Sequence, residues 1–210
     1  RTDRYGGSVV DGARFSLEVV EEVRVFQGNG QSVRIRMLLG EGLDENLAGG
    51  LRLEEGLKIG EMLVETGALD FINIIKGHID TEEGESLVLP SMGIPAAPYL
   101  EFAGAKIREF ELTVFHAARI NEVATARHAL RENLLDMVGM TRAHMADPYI
   151  VAKIESGEEE RIRPCVGMGY CLDRLYENND ALCAHNPATG REKTMPHFVS
   201  KTSGSVRKIV

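Results

Sequence analysis

The sequence predicts a parallel α/β fold, namely the C-terminal half of a (β/α)8 TIM barrel followed by a cysteine-containing extension. Three observations lead to this prediction. Helix-like and strand-like segments alternate along the chain, the strand-like segments are largely apolar, and three cysteines lie close together near the end. Strands separated by helices of this length are typical of a parallel sheet that is buried on both faces. Four βα units are half of the eight that close a barrel.

The first part of the chain contains two helix–strand pairs. Apolar residues recur at helical spacing over residues 8–25, and a Gly-Asn-Gly sequence then ends the helix. A short strand is predicted at 33–39 and a second amphipathic helix at 51–66. The run LDFINII at 69–75 suits a strand buried on both faces. The polar stretch 76–91 is too long for an ordinary connector, so we expect a functional loop there.

The second part repeats this alternation. Its predicted elements are a helix at 96–110, a strand at 112–116, a helix at 121–130 and a strand at 135–140. Asn121 is the expected N-cap of the helix at 121–130. Asp147 and Pro148 are expected to begin the next helix, as its N-cap and its first residue. The chain therefore consists of one helix and four βα units with right-handed crossovers.

Both ends of the chain favour a fragment. The first helix has no strand before it, and residues 206–210 have the pattern of the first half of a strand. We expect residues 1–158 to form the half-barrel and residues 159–205 to form the cysteine-rich extension. A complete open α/β sheet is the alternative.

The composition is that of a globular chain with an acidic balance. Lys and Arg number 24 against 32 Asp and Glu, the formal net charge is −8, and 43% of the residues are hydrophobic. This charge argues against nucleic acid or an anionic membrane as a partner, although a local basic pocket for a phosphate is compatible with it. Since the sequence contains neither a membrane-spanning run nor a signal-peptide pattern, we expect a cytoplasmic protein.

Several candidate binding residues lie where the predicted strands end, which is where parallel α/β proteins hold their ligands. Arg36 lies on the first strand and Lys76 follows the second. The segments HAARI and GMTRA place small residues directly before Arg119 and Arg142, which suits phosphate binding. Solvated positions at helix starts are the alternative for both arginines. His116 either faces a substrate or packs in the core.

The start of the chain carries a specific motif. Residues 1–8 read RTDRYGGS and continue through Ala13-Arg14-Phe15, which resembles the RTDxYGGS…RF signature of the Old Yellow Enzyme family of FMN-dependent oxidoreductases. Residues 136–142 and 146–148 resemble its last barrel strand and the following helix. Residues 163–165, together with the sequence Asn-Pro-Ala at 186–188, resemble the extension of its larger members, such as trimethylamine dehydrogenase and 2,4-dienoyl-CoA reductase.

This resemblance implies an FMN cofactor and assigns residues to it. Arg36 is implied to lie against the pyrimidine edge of the flavin, where its charge would offset the negative charge that develops at N1 and O2. An ion pair of Arg36 with Asp70 or Glu41 is the alternative.

The resemblance also assigns the FMN phosphate to two turns. These are Ala118-Arg119 after the third strand and Thr141-Arg142 after the fourth. Glycine is common in the family where Ala118 and Thr141 stand, so we expect the approach of the backbone to the phosphate to differ slightly.

The cysteine segment departs from the family pattern. Larger members hold a [4Fe–4S] cluster with four cysteines, and Cys165, Cys171 and Cys183 occupy three of those positions. Met168 stands where the second cysteine would be, and a thioether is a weak ligand for iron. Either His185 completes the cluster, or the cluster is incomplete or absent and the cysteines are structural.

For the whole protein, the resemblance implies hydride transfer between a small-molecule substrate and the flavin. The subgroup that it resembles demethylates N-methylated amino acids, and enoate reduction is the other reaction that we consider. Residues 206–210 resemble the start of a nucleotide-binding domain that would hold FAD or NAD(P)H, and the full-length protein is compatible with a homo-oligomer. We assign no catalytic acid or base, because the expected ones lie outside this chain. A Schiff-base aldolase using Lys76 and a non-catalytic metal-binding module are the alternative functions.

Overall fold

The structure is a computed structural model of the 210-residue chain, and it describes residues 3–40, 50–107, 110–198 and 204. The chain divides into two compact units, residues 1–142 and residues 143–210. The predicted division at residues 158 and 205 stays a prediction.

The first unit is a four-stranded parallel sheet with helices between its strands. The strands are β1 (Arg34–Leu38), β2 (Phe71–Ile75), β3 (Thr113–His116) and β4 (Met137–Val138), and they pair in that order. Its helices are α1 (Val9–Gln27), α2 (Leu53–Glu65), α3 (Glu82–Val88), α4 (Leu100–Ile107) and α5 (Val123–Arg131). A further helix, α6 (Thr141–Ala146), begins in this unit and ends in the second. The predicted alternation and the parallel sheet are confirmed.

The two faces of the sheet differ in chemistry. Met37, Ile74 and His116 are in register on one face, which the helices cover. An added Cβ at Gly60 of α2 would lie 3.5 Å from the sulfur of Met37, so α2 packs directly on this face. Arg36 and Asn73 are in register on the opposite face, which corresponds to the interior of a barrel.

An ion pair joins α1 to the amino ends of the first two strands. The Arg24 guanidinium lies 2.6 Å from the Asp70 carboxylate, which also accepts a hydrogen bond of 2.6 Å from the Val33 amide. The Val33 amide and Arg24 hold the pKa of Asp70 below its ordinary value. Asp70 therefore pairs with Arg24 instead of Arg36, and Glu41 lies outside the described residues.

The polar stretch 76–91 is not only a loop, because it contains α3. Thr81 caps this helix by accepting a hydrogen bond of 3.1 Å from the Gly84 amide. The ring of His78 covers Gly84 so closely that an added Cβ would lie 2.6 Å from its Nε2. The capping threonine was the sequence signal for this helix.

Two predicted helix N-caps were wrong, one by one residue and the other by two. The N-cap of α5 is Glu122 and not Asn121, and no side-chain hydrogen bond caps the helix there. Asp147 and Pro148 form a turn ahead of α7 (Ile150–Glu155), whose N-cap is Tyr149. The Asp147 carboxylate accepts a hydrogen bond from the Tyr149 amide, so it stabilises this turn instead of the helix start.

The second unit contains α7 and α8 (Tyr170–Tyr176), and a buried carboxylate organises its first half. Asp147 is 2% exposed. It accepts bonds from the Lys153 ammonium at 2.5 Å and from the Arg163 amide at 2.8 Å. Further along, Asn186 donates to the Met145 carbonyl at 3.2 Å. Across the described ranges, no helix combines the length and apolar character needed to cross a membrane.

Candidate functional site

The turns after β3 and β4 lie side by side at the carboxyl edge of the sheet. The Gly139 amide donates a hydrogen bond of 2.8 Å to the His116 carbonyl. A Cβ added at Gly139 would lie 2.8 Å from the Cβ of Ala117, which is closer than side chains approach one another. Glycine at position 139 therefore allows the two turns to approach.

The turn after β3 has an unusual backbone conformation. Ala118 has φ +93° and Arg119 has φ +55°, so two consecutive residues other than glycine are left-handed. Such conformations cost free energy and persist where the surrounding structure imposes them, which is often at functional sites. The Arg119 carbonyl accepts a hydrogen bond of 3.1 Å from the Ala97 amide, which fixes the turn against the segment before α4.

The two candidate phosphate arginines differ in their surroundings. Arg142 is half-buried and donates from Nη1 to the Pro90 carbonyl at 3.0 Å. The Nε of Arg119 is buried and has no hydrogen-bond partner among the residues that the structure describes. Thr141, the first residue of α6, is exposed. The structure thus brings both predicted turns to neighbouring positions, and their phosphate role stays a prediction.

Arg36 lies on the open face of the sheet beside a residue that the sequence analysis missed. Its register partner Asn73 is 7% exposed, and the Oδ1 of that amide is buried without a partner in the described part of the chain. An asparagine inside the apolar run LDFINII was the signal that could have found it. The open face of the sheet therefore has the exposed Arg36 guanidinium in register with the buried Oδ1 of Asn73.

His116 packs in the helix-covered core, as one of the two predictions for it stated. Its Nδ1 lies 2.9 Å from the Ile74 carbonyl, which can only accept a hydrogen bond. Burial lowers the pKa of His116 and the charge of Arg36 lowers it further, against the opposing effect of the Ile74 bond. The ring is therefore neutral at physiological pH and donates from Nδ1.

Lys76 directly follows β2, and its ammonium group lies close to two aromatic rings. Its Nζ lies 5.1 Å from the ring centre of Tyr99 and 5.4 Å from that of Phe102. Aromatic faces attract the charged ammonium. A Schiff-base nucleophile must be neutral, so this environment disfavours the aldolase alternative. Burial raises the pKa of Tyr99, which keeps its hydroxyl protonated.

The cysteine segment lies in the second unit. Cys165, Cys171 and Cys183 are half-buried and none of them is in a disulfide. The Nδ1 of His185 lies 2.7 Å from the Pro164 carbonyl, so the chain beyond Cys183 returns to the start of the segment. Within the described ranges, no three His, Cys, Asp or Glu side chains are arranged to hold a metal ion. The ligand role of the three cysteines stays a prediction.

Comparison with known proteins identifies the family. Residues 1–161 match the NADH:flavin oxidoreductase / NADH oxidase family. The chain belongs to this family. The resemblance deduced from the sequence motifs is thereby confirmed.

Two curated relatives show how much of a member the chain represents. It is 49% identical over 197 residues to a probable N-methylproline demethylase of Rhizobium meliloti (strain 1021), covering 94% of this chain and 28% of that protein. It is 43% identical over 211 residues to a multifunctional alkene reductase/demethylase of Caballeronia cordobensis, covering 100% of this chain and 29% of that protein. The chain thus spans less than a third of the length of these relatives.

Solved structures share the fold. A 2-naphthoyl-CoA reductase in complex with 2-naphthoyl-CoA superposes with a TM-score of 0.79 at 25% identity, covering 92% of this chain and 28% of that one. A histamine dehydrogenase from Rhizobium sp. 4-9 gives the same TM-score at 24% identity, covering 91% of this chain and 26% of that one. The parallel sheet is therefore part of a (β/α)8 barrel.

Proposed function

We propose that the protein containing this chain is an FMN-dependent oxidoreductase that removes the methyl group of an N-methylated amino acid. Family membership supports the flavin, and the names of the two relatives above support demethylation. The chemistry that FMN supplies when bound is acceptance of a hydride, here from the N-methyl carbon. Water then hydrolyses the resulting iminium to formaldehyde and the demethylated amine.

The observation that carries the cofactor assignment is the buried Nε of Arg119. A buried N–H without a partner is costly, and a phosphate oxygen is a suitable acceptor for it. Arg142 would place a second cation at the neighbouring turn, and Gly139 allows the two turns to come together. These residues fit a phosphate that is held from both turns.

The open face of the sheet fits the ring of the cofactor. Asn73 Oδ1 is an acceptor that needs a donor, and a flavin edge carries an N–H. Arg36 would stabilise negative charge that develops on the ring during reduction. Both residues lie on rigid strands, so their positions do not depend on a loop.

The cysteine segment does not fit a four-thiolate iron–sulfur cluster. It offers three thiols, and Met168 at the fourth position is 52% exposed. Neither the hydride transfer to FMN nor the hydrolysis of the iminium requires iron. We separately propose that the three cysteines bind a cluster with a fourth ligand other than cysteine. We also propose that a following domain holds FAD or NAD(P)H.

Alkene reduction is the second candidate function. The observation that favours it is the Caballeronia cordobensis relative, whose name combines alkene reductase with demethylase. In that reaction the hydride would move from the reduced flavin to the substrate, so the same cofactor residues would serve both directions.

The test uses the full-length protein, purified and mixed anaerobically with N-methylproline. We expect a flavin spectrum that bleaches on mixing, together with formaldehyde and proline in equal amounts. Proline, which lacks the methyl group, is the matched control and should leave the flavin oxidised. A colourless protein would overturn the FMN assignment, and a flavin that no N-methylated amino acid reduces would overturn the demethylase assignment.

A further inference from the structure

We propose that Lys76 binds the carboxylate of the substrate and thereby selects N-methylated amino acids over simple methylamines. This inference rests on the proposed function, because it names the group of that substrate which the chain recognises. It assigns to Lys76 a binding role in place of the nucleophilic role considered from the sequence.

The ammonium group of Lys76 is held in place but its donors are not used up. The ring centres of Tyr99 and Phe102 lie 5.1 and 5.4 Å from its Nζ, and Tyr99 is itself buried. Aromatic faces attract the charge without accepting strong hydrogen bonds, whereas an ammonium has three N–H donors. No carboxylate in the described part of the chain lies within ion-pair distance of this group. The position suits an anion from outside the chain.

The backbone around Lys76 is fixed by close packing. Gly77 has φ +85°, and a Cβ added there would lie 2.6 Å from the Cβ of Leu87 in α3. The Gly77 amide also donates to the Gly40 carbonyl at 3.3 Å. A cation on a rigid turn loses little entropy when it binds an anion, which is the property required of a specificity group.

Lys76 is on the same edge of the sheet as the proposed cofactor residues. It directly follows β2, which lies between β1 with Arg36 and β3 with the Arg119 turn. The segment that carries Tyr99 is tied to that turn by the bond from the Ala97 amide to the Arg119 carbonyl. The anion site and the cofactor site are therefore parts of one rigid edge.

The rings of Tyr99 and Phe102, which already contact the Lys76 ammonium, also disfavour substrates that are only cationic. Two aromatic faces can hold a methylammonium ion, but here they already hold the protein's own cation. A substrate with only a positive amine would meet a like charge, whereas a zwitterion presents a carboxylate that compensates for it. The same residue thus attracts amino acids and disfavours methylamines.

The experiment compares N-methylproline with N-methylpyrrolidine, which is the same cyclic amine without the carboxylate. It uses the full-length holoenzyme and the variants Lys76→Met and Lys76→Arg. Methionine has a similar length and can remain in contact with the rings, and arginine keeps the charge. For Lys76→Met we expect KM for N-methylproline to rise by about 10- to 100-fold with little change in kcat, as for a lost charge-assisted hydrogen bond. KM for N-methylpyrrolidine should stay constant or fall, and Lys76→Arg should retain most of the preference.

A binding measurement separates this inference from the proposed function. Calorimetric titration of the oxidised holoenzyme with proline and with pyrrolidine requires no turnover. We expect proline to bind more weakly to Lys76→Met by the same factor, while pyrrolidine binding does not weaken. Equal proline affinity in wild type and Lys76→Met would overturn the inference and leave the demethylase proposal intact. A wild type that binds proline through Lys76 without oxidising N-methylproline would overturn the proposed function alone.

A second variant covers the case in which Lys76→Met does not fold or loses FMN. Phe102→Leu removes one of the two rings and leaves the lysine in place. We expect it to raise KM for N-methylproline by a few-fold and to leave N-methylpyrrolidine unaffected. An equal rise for both amines would show a general structural effect and would overturn the inference.

Discussion

Substitution of Gly139 by alanine tests whether the approach of the two turns matters. The added Cβ would lie 2.8 Å from both the Cβ of Ala117 and the Cζ of Phe115. Carbon atoms in contact are about 3.5–4.0 Å apart, so one of the turns must move by roughly 1 Å. Overpacking of this kind costs about 1–3 kcal/mol, and the reduced entropy of the unfolded chain offsets about 0.4–1 kcal/mol of it. We expect a net loss of about 1–2 kcal/mol in the free energy of unfolding.

The assays are urea unfolding, followed by circular dichroism, and FMN binding, both with the full-length protein. A displacement of the turns by roughly 1 Å should also weaken FMN binding by at least about tenfold, since groups that act together depend on their relative position. Gly93→Ala is the matched control, because the nearest atom to its added Cβ is the Ser91 hydroxyl at 3.8 Å. If Gly139→Ala were as stable as Gly93→Ala and bound FMN as tightly as wild type, the argument from the close approach would be refuted.

Four further predictions concern Arg142, Asp147, Met168 and the edges of the sheet. Arg142→Ala should release FMN on gel filtration of the full-length protein while the fold survives, because loss of one partner of a desolvated charge pair costs roughly 2–5 kcal/mol; flavin retained at wild-type stoichiometry would contradict this. Burial raises the pKa of Asp147, but the bonds from Lys153 and from the Arg163 amide outweigh this effect, so the pKa is lowered from its ordinary value of 3.8. A carboxyl group with a lowered pKa stabilises the folded protein at pH values above its ordinary pKa. Wild type should therefore be more stable than Asp147→Asn at neutral pH by about 2–4 kcal/mol, and this difference should shrink as pH falls below about 4. Urea unfolding at several pH values measures the difference, and a value independent of pH would refute the prediction. Met168→Cys should raise the iron and acid-labile sulfide content of the full-length protein after anaerobic reconstitution, because it supplies a fourth thiolate; unchanged contents would argue against the ligand role of the cysteines. The 210-residue chain on its own should self-associate and show no turnover, because β1 and β4 each have one edge that pairs with no other strand among the described residues; a monodisperse, active and flavin-loaded monomer would disprove this.

The order of helices and strands could be predicted from the sequence because it depends on local patterns. The apolar run at 69–75 became β2, and the helical spacing at 8–25 became α1 with Ser8 as its N-cap. The errors arose where tertiary contacts determine the conformation. Asp147 has the sequence context of a helix cap, yet its carboxylate is occupied by Lys153 and by backbone amides at the turn before the helix.

The candidate site could be predicted in part for the same reason. The positions of Arg36 and of the two arginine turns follow from where strands end, which the sequence reveals. The pairing of Lys76 with Tyr99 and Phe102 joins segments more than twenty residues apart, and no local pattern encodes it. Of the site residues that the sequence analysis missed, Asn73 in β2 had a signal in the sequence, because a buried polar side chain in an apolar strand needs a hydrogen-bond partner.

The chain has a net charge of −8, whereas the charged residues of the proposed site are all positive. Four cations lie on the strands of one sheet or within four residues after them, so the topology of the sheet and not sequence proximity brings them to one region: Arg36, Lys76, Arg119 and Arg142. A local field of this kind attracts small anions even when the whole chain is acidic, because salt screens charges that lie more than about 10 Å away. We propose that the carboxyl edge of the sheet holds a phosphate at the Arg119 and Arg142 turns and a carboxylate at Lys76. A cofactor with one phosphate and a substrate with one carboxylate, as in the proposed reaction, would supply these two anions.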